Sequence, residues 1–169
     1  MPTEHDHAHA DHASSRRGMA GLAHYRGLVL MAALSFAAMF VLMYAMVDRF
    51  ANVYVNANQF YMAGLMTAPM VLIEMAIMRS MYRDRRLNAI AIAVSLVVGL
   101  VCWTLIRQQT AIGDRQFLRS MIPHHAAALL MCTQAPVHDA GIQDLCRRIL
   151  ASQRAEIDEM KAKLEATAR

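Results

Sequence analysis

Charged side chains are scarce in this sequence: Asp, Glu, Lys and Arg together make up 18% of its 169 residues, against roughly 25% in an average soluble domain. Aromatic residues are few as well, at 7%. So little charge excludes a disordered chain and argues against an ordinary soluble globule. Three cysteines are too few for a disulfide-rich scaffold. There is no Gly-rich phosphate loop and no dinucleotide-binding fingerprint. What fills the chain instead is apolar: 57% hydrophobic residues, including 15 methionines, with a mean hydropathy of +0.28. The length allows one domain, or a small domain with an anchor.

Three apolar runs set the architecture. Gly27 to Val47 carries no charge and is closed by Asp48 and Arg49. Phe60 to Met78 is interrupted only by Glu74, and Leu87 to Ile106 has Asn88 as its only strongly polar side chain. Each is long enough, at 1.5 Å per residue, to cross a hydrocarbon core of roughly 30 Å. Each is apolar all round, without the polar stripe of a soluble core helix. The first run is too long for a signal-peptide core and reads as an uncleaved anchor.

The arginines orient this bundle. Arg16, Arg17 and Arg26 precede the first run, and Arg79, Arg83, Arg85 and Arg86 fill the second loop, whereas the first loop holds only Arg49. The positive-inside rule then places the N-terminus and second loop in the cytoplasm, and the first loop and everything after Arg107 outside. The net charge of +4 is explained by these membrane-edge arginines, and nucleic acid is not expected as a partner.

After the third run the pattern is helical. Asp114 is the candidate N-cap of a helix running to about Gln134, with Phe117, Leu118, Met121, Ile122, Leu129 and Leu130 at helical period and Pro123 inside it. Ala135-Pro136 marks a turn. A second helix is expected from about Asp139 to Leu164, with Ile142, Leu145, Ile149, Leu150, Ile157, Met160 and Leu164 on one face. The short connection makes the two helices antiparallel neighbours.

The stretch that carries chemistry is Met121-Ile122-Pro123-His124-His125, followed by Met131. Met121 and His125 are four apart and share a helical face. A thioether and an imidazole at that spacing suit a soft or borderline ion: thioethers favour Cu(I), and imidazole also suits Zn and Cu(II). The plainer reading makes Met121 a core side chain and the histidines surface.

At this stretch the chain resembles the domain-of-unknown-function family 305, known by a Met-Ile-Pro-His-His block followed by a Gln-x-x-Glu-Ile-x-x-Met helix, here Gln153 to Met160. The resemblance covers Asp114 to Leu164, and three spans before it are similar to a membrane-anchored branch of that family. It implies a ferritin-like helical fold and, as in some periplasmic members, copper or silver held through Met and His. By that resemblance Met121, His124, His125, Met131 and Met160 are the candidate ligands. The chain departs from the commoner pattern in Ala126 and Ala127 after the histidine pair. A di-iron site of the ferritin-like kind wants Glu-x-x-His motifs, and none is present.

Other features stand beside that site. His5, His7, His9 and His12 are interleaved with Glu4, Asp6 and Asp11, a tract that holds Cu(II), Ni or Zn loosely or is a solvated disordered tail. Met62, Met66, Met70, Glu74 and Met78 recur every four residues, and Met39, Met43 and Met46 form a shorter stripe; adaptable packing and thioether exchange of Cu(I) both fit. Glu74 either faces the bundle interior or snorkels to a nearby arginine. Cys102 reads as a small apolar packer. Cys132 and Cys146 flank the turn symmetrically, as a disulfide or a thiolate pair. Were they to face each other, His125 would lie opposite Gln153, Met121 near Glu156 and Ile157, and Met160 near Phe117 and Leu118.

The expected protein is therefore all-α: a His-rich disordered cytoplasmic tail (residues 1–24), a three-helix transmembrane region (25–108) and an antiparallel two-helix, ferritin-like exterior domain (113–169). It is expected in a bacterial inner membrane with that domain periplasmic. Copper(I) is the expected ligand, without an organic cofactor, and the lipid bilayer, a second copy or a copper-handling protein are the expected partners. The expected role is metal buffering or handover and not enzymatic turnover. The alternative is a structural or interaction protein without a physiological metal.

Overall fold

A computed structural model describes the backbone of residues 4–167, with side chains from residue 22 onward. Among the described residues the protein is all helical, with five α-helices and no strand: α1 (Glu4–Leu42), α2 (Ala57–Ile77), α3 (Arg85–Gln108), α4 (Asp114–Gln134) and α5 (Ala140–Ala166). Short 3-10 turns, Met43–Met46 and Phe50–Asn52, join α1 to α2. The tail expected to be disordered is helical from Glu4 onward and continuous with the first apolar run. The side chains of His5, His7, His9 and His12 lie outside the described residues.

Three helices are long and apolar enough to cross a membrane: Leu22–Met46, Ala57–Ile77 and Arg85–Gln108. Their faces fit that role. Leu30, Leu34, Leu96 and Leu100 are each more than half exposed, a density of uncovered aliphatic surface that water tolerates poorly. α2 continues through Pro69. The backbone carbonyl that a proline leaves unbonded is accommodated in membrane helices by local adjustment.

The chain divides into two compact units. The first comprises residues 1–38 and 64–102. Leu28, Met75 and Tyr82 form its buried cluster, with Tyr25, Met31, Val71, Met78 and Ala91 against them. Its polar residues cluster near the α2–α3 turn. Tyr25 donates its hydroxyl to Asn88 Oδ1 at 2.6 Å, and Asn88 donates to the Tyr82 carbonyl at 2.9 Å. Asn88, the polar exception in the third run, thus ties the turn to α1. Asp84 Oδ1 caps α3 by accepting from the backbone of Arg86 and Leu87 at 2.8 and 3.1 Å. Glu74 is hydrogen-bonded with the Tyr82 hydroxyl; burial first, and the Glu74 carboxylate second, hold that phenol above its ordinary pKa. The methionine stripe of α2 does not share one environment: Met62 and Met66 are exposed, whereas Met78 packs on the buried cluster.

Gly64 of α2 stands against the Cys102 side chain of α3. A Cβ at Gly64 would stand 2.8 Å from Cys102 Sγ, nearer than side-chain carbons come. Gly64→Ala is expected to cost about 1–2 kcal/mol through overpacking, and Cys102→Ala in the same chain to restore most of that loss. Unfolding in mixed detergent micelles measures both; no rescue by Cys102→Ala would show that the contact is not the cause.

The second unit comprises residues 39–63 and 103–169. Its connections are sewn by side chains. Tyr44 donates to the Tyr54 carbonyl at 2.9 Å, the Ala57 amide donates to Gln116 Oε1 at 3.1 Å, and Tyr61 donates to the Thr110 carbonyl at 3.1 Å. Asn58 and Gln109 exchange amide bonds at 3.0 and 3.2 Å. The rest of this unit is the hairpin of α4 and α5.

Candidate functional site

The hairpin begins at Gly113, which takes the N-cap position of α4 without a side-chain bond; Asp114, expected there, is instead the first helical residue. Asp114 still places its carboxylate in the first turn, where the helix dipole favours it. α4 ends at Gln134, and Ala135-Pro136 cannot continue it. α5 starts under a true cap: Asp139 Oδ1 accepts from the Ile142 amide at 2.9 Å. Cys132 and Cys146 are joined by a disulfide across the turn, with their Cα atoms 5.3 Å apart.

The hairpin core is Ile122, Ala126 and Leu129 of α4 against Ile157 of α5, with Leu150, Met160 and Leu164 packed around them and Val47 and Tyr54 from the preceding loop. Ile122 is fully buried. Burying a side chain of that size stabilises by about 1.5–3 kcal/mol. Two members of the expected apolar face of α5, Ile142 and Leu145, are instead about half exposed. The reason is length: α4 stops at Gln134, so little stands opposite the first turns of α5.

His125 is the polar residue inside this core, 9% exposed. Its Nδ1 lies 2.9 Å from the Met121 carbonyl one turn back. Its Nε2 lies 2.7 Å from Glu156 Oε2 on α5. Both neighbours are acceptors, so the ring makes both bonds only when both nitrogens carry protons; the neutral ring donates to one of them. Pro123 sits between Met121 and His125 and removes one rung of the helical ladder.

The side chain that reaches His125 is Glu156, one helical turn along α5 from Gln153, the residue expected opposite it. In an antiparallel pair a step back along α4 is a step forward along α5. Met121 lies one turn before His125 and Met160 one turn after Glu156, so each helix carries an i,i+4 pair toward this end of the hairpin: Met121 and His125 on α4, Glu156 and Met160 on α5.

The other candidate ligands are placed differently. His124 is exposed, its ring centroid 6.2 Å from that of His125. Met131 is 52% exposed and ten residues from Met121, about 15 Å along the helix. Met121 and His125 are one turn apart on α4 and Met160 packs on the same hairpin core, while His124 is exposed and Met131 stands apart. Among the described residues no three His, Cys, Asp or Glu side chains gather as a metal-binding group. A donor set here has to draw on thioethers, which is the soft-ion chemistry of the Met-His pair. Glu156 was not singled out from sequence as a site residue. Its signal was its place in the second family block, at the position that meets the histidine of the first.

Fold and site together define a helical protein with three helices apolar enough to cross a bilayer and a disulfide-closed hairpin in which a buried histidine meets a half-exposed glutamate. The profile of the family described as "Domain of unknown function (DUF305)" matches residues 66–164. The chain belongs to that family, and the match reaches well beyond the 50 or so residues that the motif alone suggested, taking in α3 and about half of α2. It is also 30% identical over 120 residues to "Uncharacterized protein L153" of Acanthamoeba polyphaga mimivirus, covering 70% of this chain and 77% of the viral one. No solved structure matches.

Proposed function

We infer that this protein is a copper(I)- or silver(I)-binding membrane protein that buffers or hands over metal. In this reading α1, α2 and α3 span a bacterial inner membrane, and the ferritin-like hairpin stands on the periplasmic side, as the arginine distribution favours. What supports the reading is the Met121–His125 i,i+4 pair on α4 together with Met160 packed on the same hairpin core, two thioethers and an imidazole in one small unit. Met121, His125 and Met160 are the central donors, His124 is the exposed imidazole that receives or releases the ion, and Met131 is a peripheral donor. Bound there, the ion supplies no bond-making chemistry; it is cargo. Glu156 orients the His125 ring, as carboxylates do for ligating histidines. To ligate the ion, the neutral His125 ring keeps one of its two hydrogen bonds and turns the lone pair of the other nitrogen to the metal.

A second reading takes the same bonds as sufficient in themselves. With His125 bonded on both sides and Met160 packed on the core, the hairpin is satisfied without an ion, and the protein then serves as a structural or interaction module. Titration of the full chain in detergent micelles under mild conditions that keep the disulfide separates the two. The metal reading expects tight Cu(I) or Ag(I) binding that far exceeds Zn binding, and loss of that binding in Met121→Leu/Met160→Leu. Equal stoichiometry in the double variant, or a preference for Zn, would overturn the copper assignment.

A further inference from the structure

Away from the methionines and His125, the second unit contains a polar cleft of about 140 Å3 between the loop that follows α1 and the C-terminal half of α5. Arg49, Arg154 and Lys161 line it together with Asp48, Asn52 and Asp158. Its charges are unevenly satisfied. Asp48 is held by Arg49 Nε at 3.1 Å and by Asn52 Nδ2 at 2.6 Å. Asn52 is 2% exposed, and its Oδ1 accepts from Lys161 Nζ at 2.6 Å. Lys161 is therefore bonded to a neutral amide, not to a carboxylate, and an ammonium has three donors to place. Arg154 makes no ion pair among the described residues, although Asp158 lies one turn along α5 on the same side.

We propose that this cleft binds a phosphate group, with Lys161 and Arg154 as the two cationic donors and Asn52 as the buried support that aims Lys161. The volume suits a tetrahedral oxyanion with a water or two better than an organic ligand. A guanidinium fork and an ammonium are the pairing that recognises phosphate by geometry and by charge. Asp48 does not oppose this, since Arg49 and Asn52 occupy its oxygens. The cleft follows directly on Met46, the last residue of the first apolar span, so a phosphate reaches it either from a lipid headgroup or from solution. This site is independent of the metal reading: none of the candidate metal ligands lines it.

The test uses the full chain in neutral detergent micelles, reading thermal unfolding against added probe. One arm adds inorganic phosphate at constant ionic strength, another adds phosphatidylglycerol, and a third adds phosphatidylcholine. A concentration-dependent rise in melting temperature with inorganic phosphate assigns a soluble ligand; a rise with phosphatidylglycerol and none with inorganic phosphate assigns a lipid headgroup. Arg154→Gln, at an exposed position where folding is not at stake, is expected to weaken the effective probe by about tenfold or more, as loss of a charge-assisted bond does. Arg154→Gln/Lys161→Gln is expected to remove the response, whereas Arg147→Gln/Arg148→Gln, outside the cleft, is expected to leave it intact. No response to either anionic probe, a response equal to that of phosphatidylcholine, or an unchanged response in Arg154→Gln would overturn the proposal.

Discussion

Removing the bridge by Cys132→Ala/Cys146→Ala is expected to cost the hairpin about 3 kcal/mol, the loop-closure value for a ring of some 15 residues. The sequence separation is 14, so the ring is small and the expected gain modest in absolute terms. It is large for this hairpin, because two helices bury little surface on their own and the core rests on Ile122, Ala126, Leu129 and Ile157. Near the turn the bridge replaces packing: Ile142 and Leu145 are half exposed there. Loss of the bridge is thus expected to fray the turn first, and limited proteolysis of the double variant should cut between Thr133 and Leu145. Mass spectrometry after rapid thiol blocking supplies the complementary measurement. A linked peptide pair is expected; full alkylation of both cysteines would reject the bridge.

The second large effect concerns His125 and Glu156. Glu156→Leu leaves a nearly buried imidazole without its partner, and one lost charge-assisted bond costs about 1.5–3 kcal/mol. The lower end applies, because the Glu156 side chain is 48% exposed and solvent screens it. His125→Leu puts an apolar side chain in an apolar layer and frees Glu156 to water, so its cost is smaller. His125→Leu/Glu156→Leu is then expected to be more stable than Glu156→Leu alone, with a coupling energy above about 1 kcal/mol. A double-mutant cycle by unfolding in mixed micelles measures this directly. Additive effects would mean that the 2.7 Å contact contributes nothing to the hairpin's stability.

Much of the architecture was legible in the residues. Long uninterrupted apolar runs are a property of composition along the chain, and they mark α1, α2 and α3 without reference to anything distant. The ends of α4 and α5 were legible for the same reason: Gly113, Ala135-Pro136 and Asp139 act locally. The partner of His125 was not: the two cysteines meet as the symmetry of the turn suggests, but the long Glu156 side chain, one turn from Gln153, is what reaches the ring. The apolar face of α5 was overextended because periodicity reports a face and not whether anything stands opposite it. Glu74 was assigned to the bundle interior or to an arginine; the Tyr82 hydroxyl is what it meets, a partner that no local pattern points to. Asn88 was likewise visible as an exception, but its bond from Tyr25, 63 residues away, is long-range.

The position of the disulfide gives the hairpin a mechanical character. The covalent clamp lies at the closed end, and Met121 lies 11 residues back along α4, about 16 Å from the clamp. The two arms are therefore pinned at a pivot and joined at their far ends by noncovalent contacts alone. A change of about five degrees at such a pivot moves the far ends by about 1.5 Å over that lever arm, enough to open or close a van der Waals contact between side chains of the two arms.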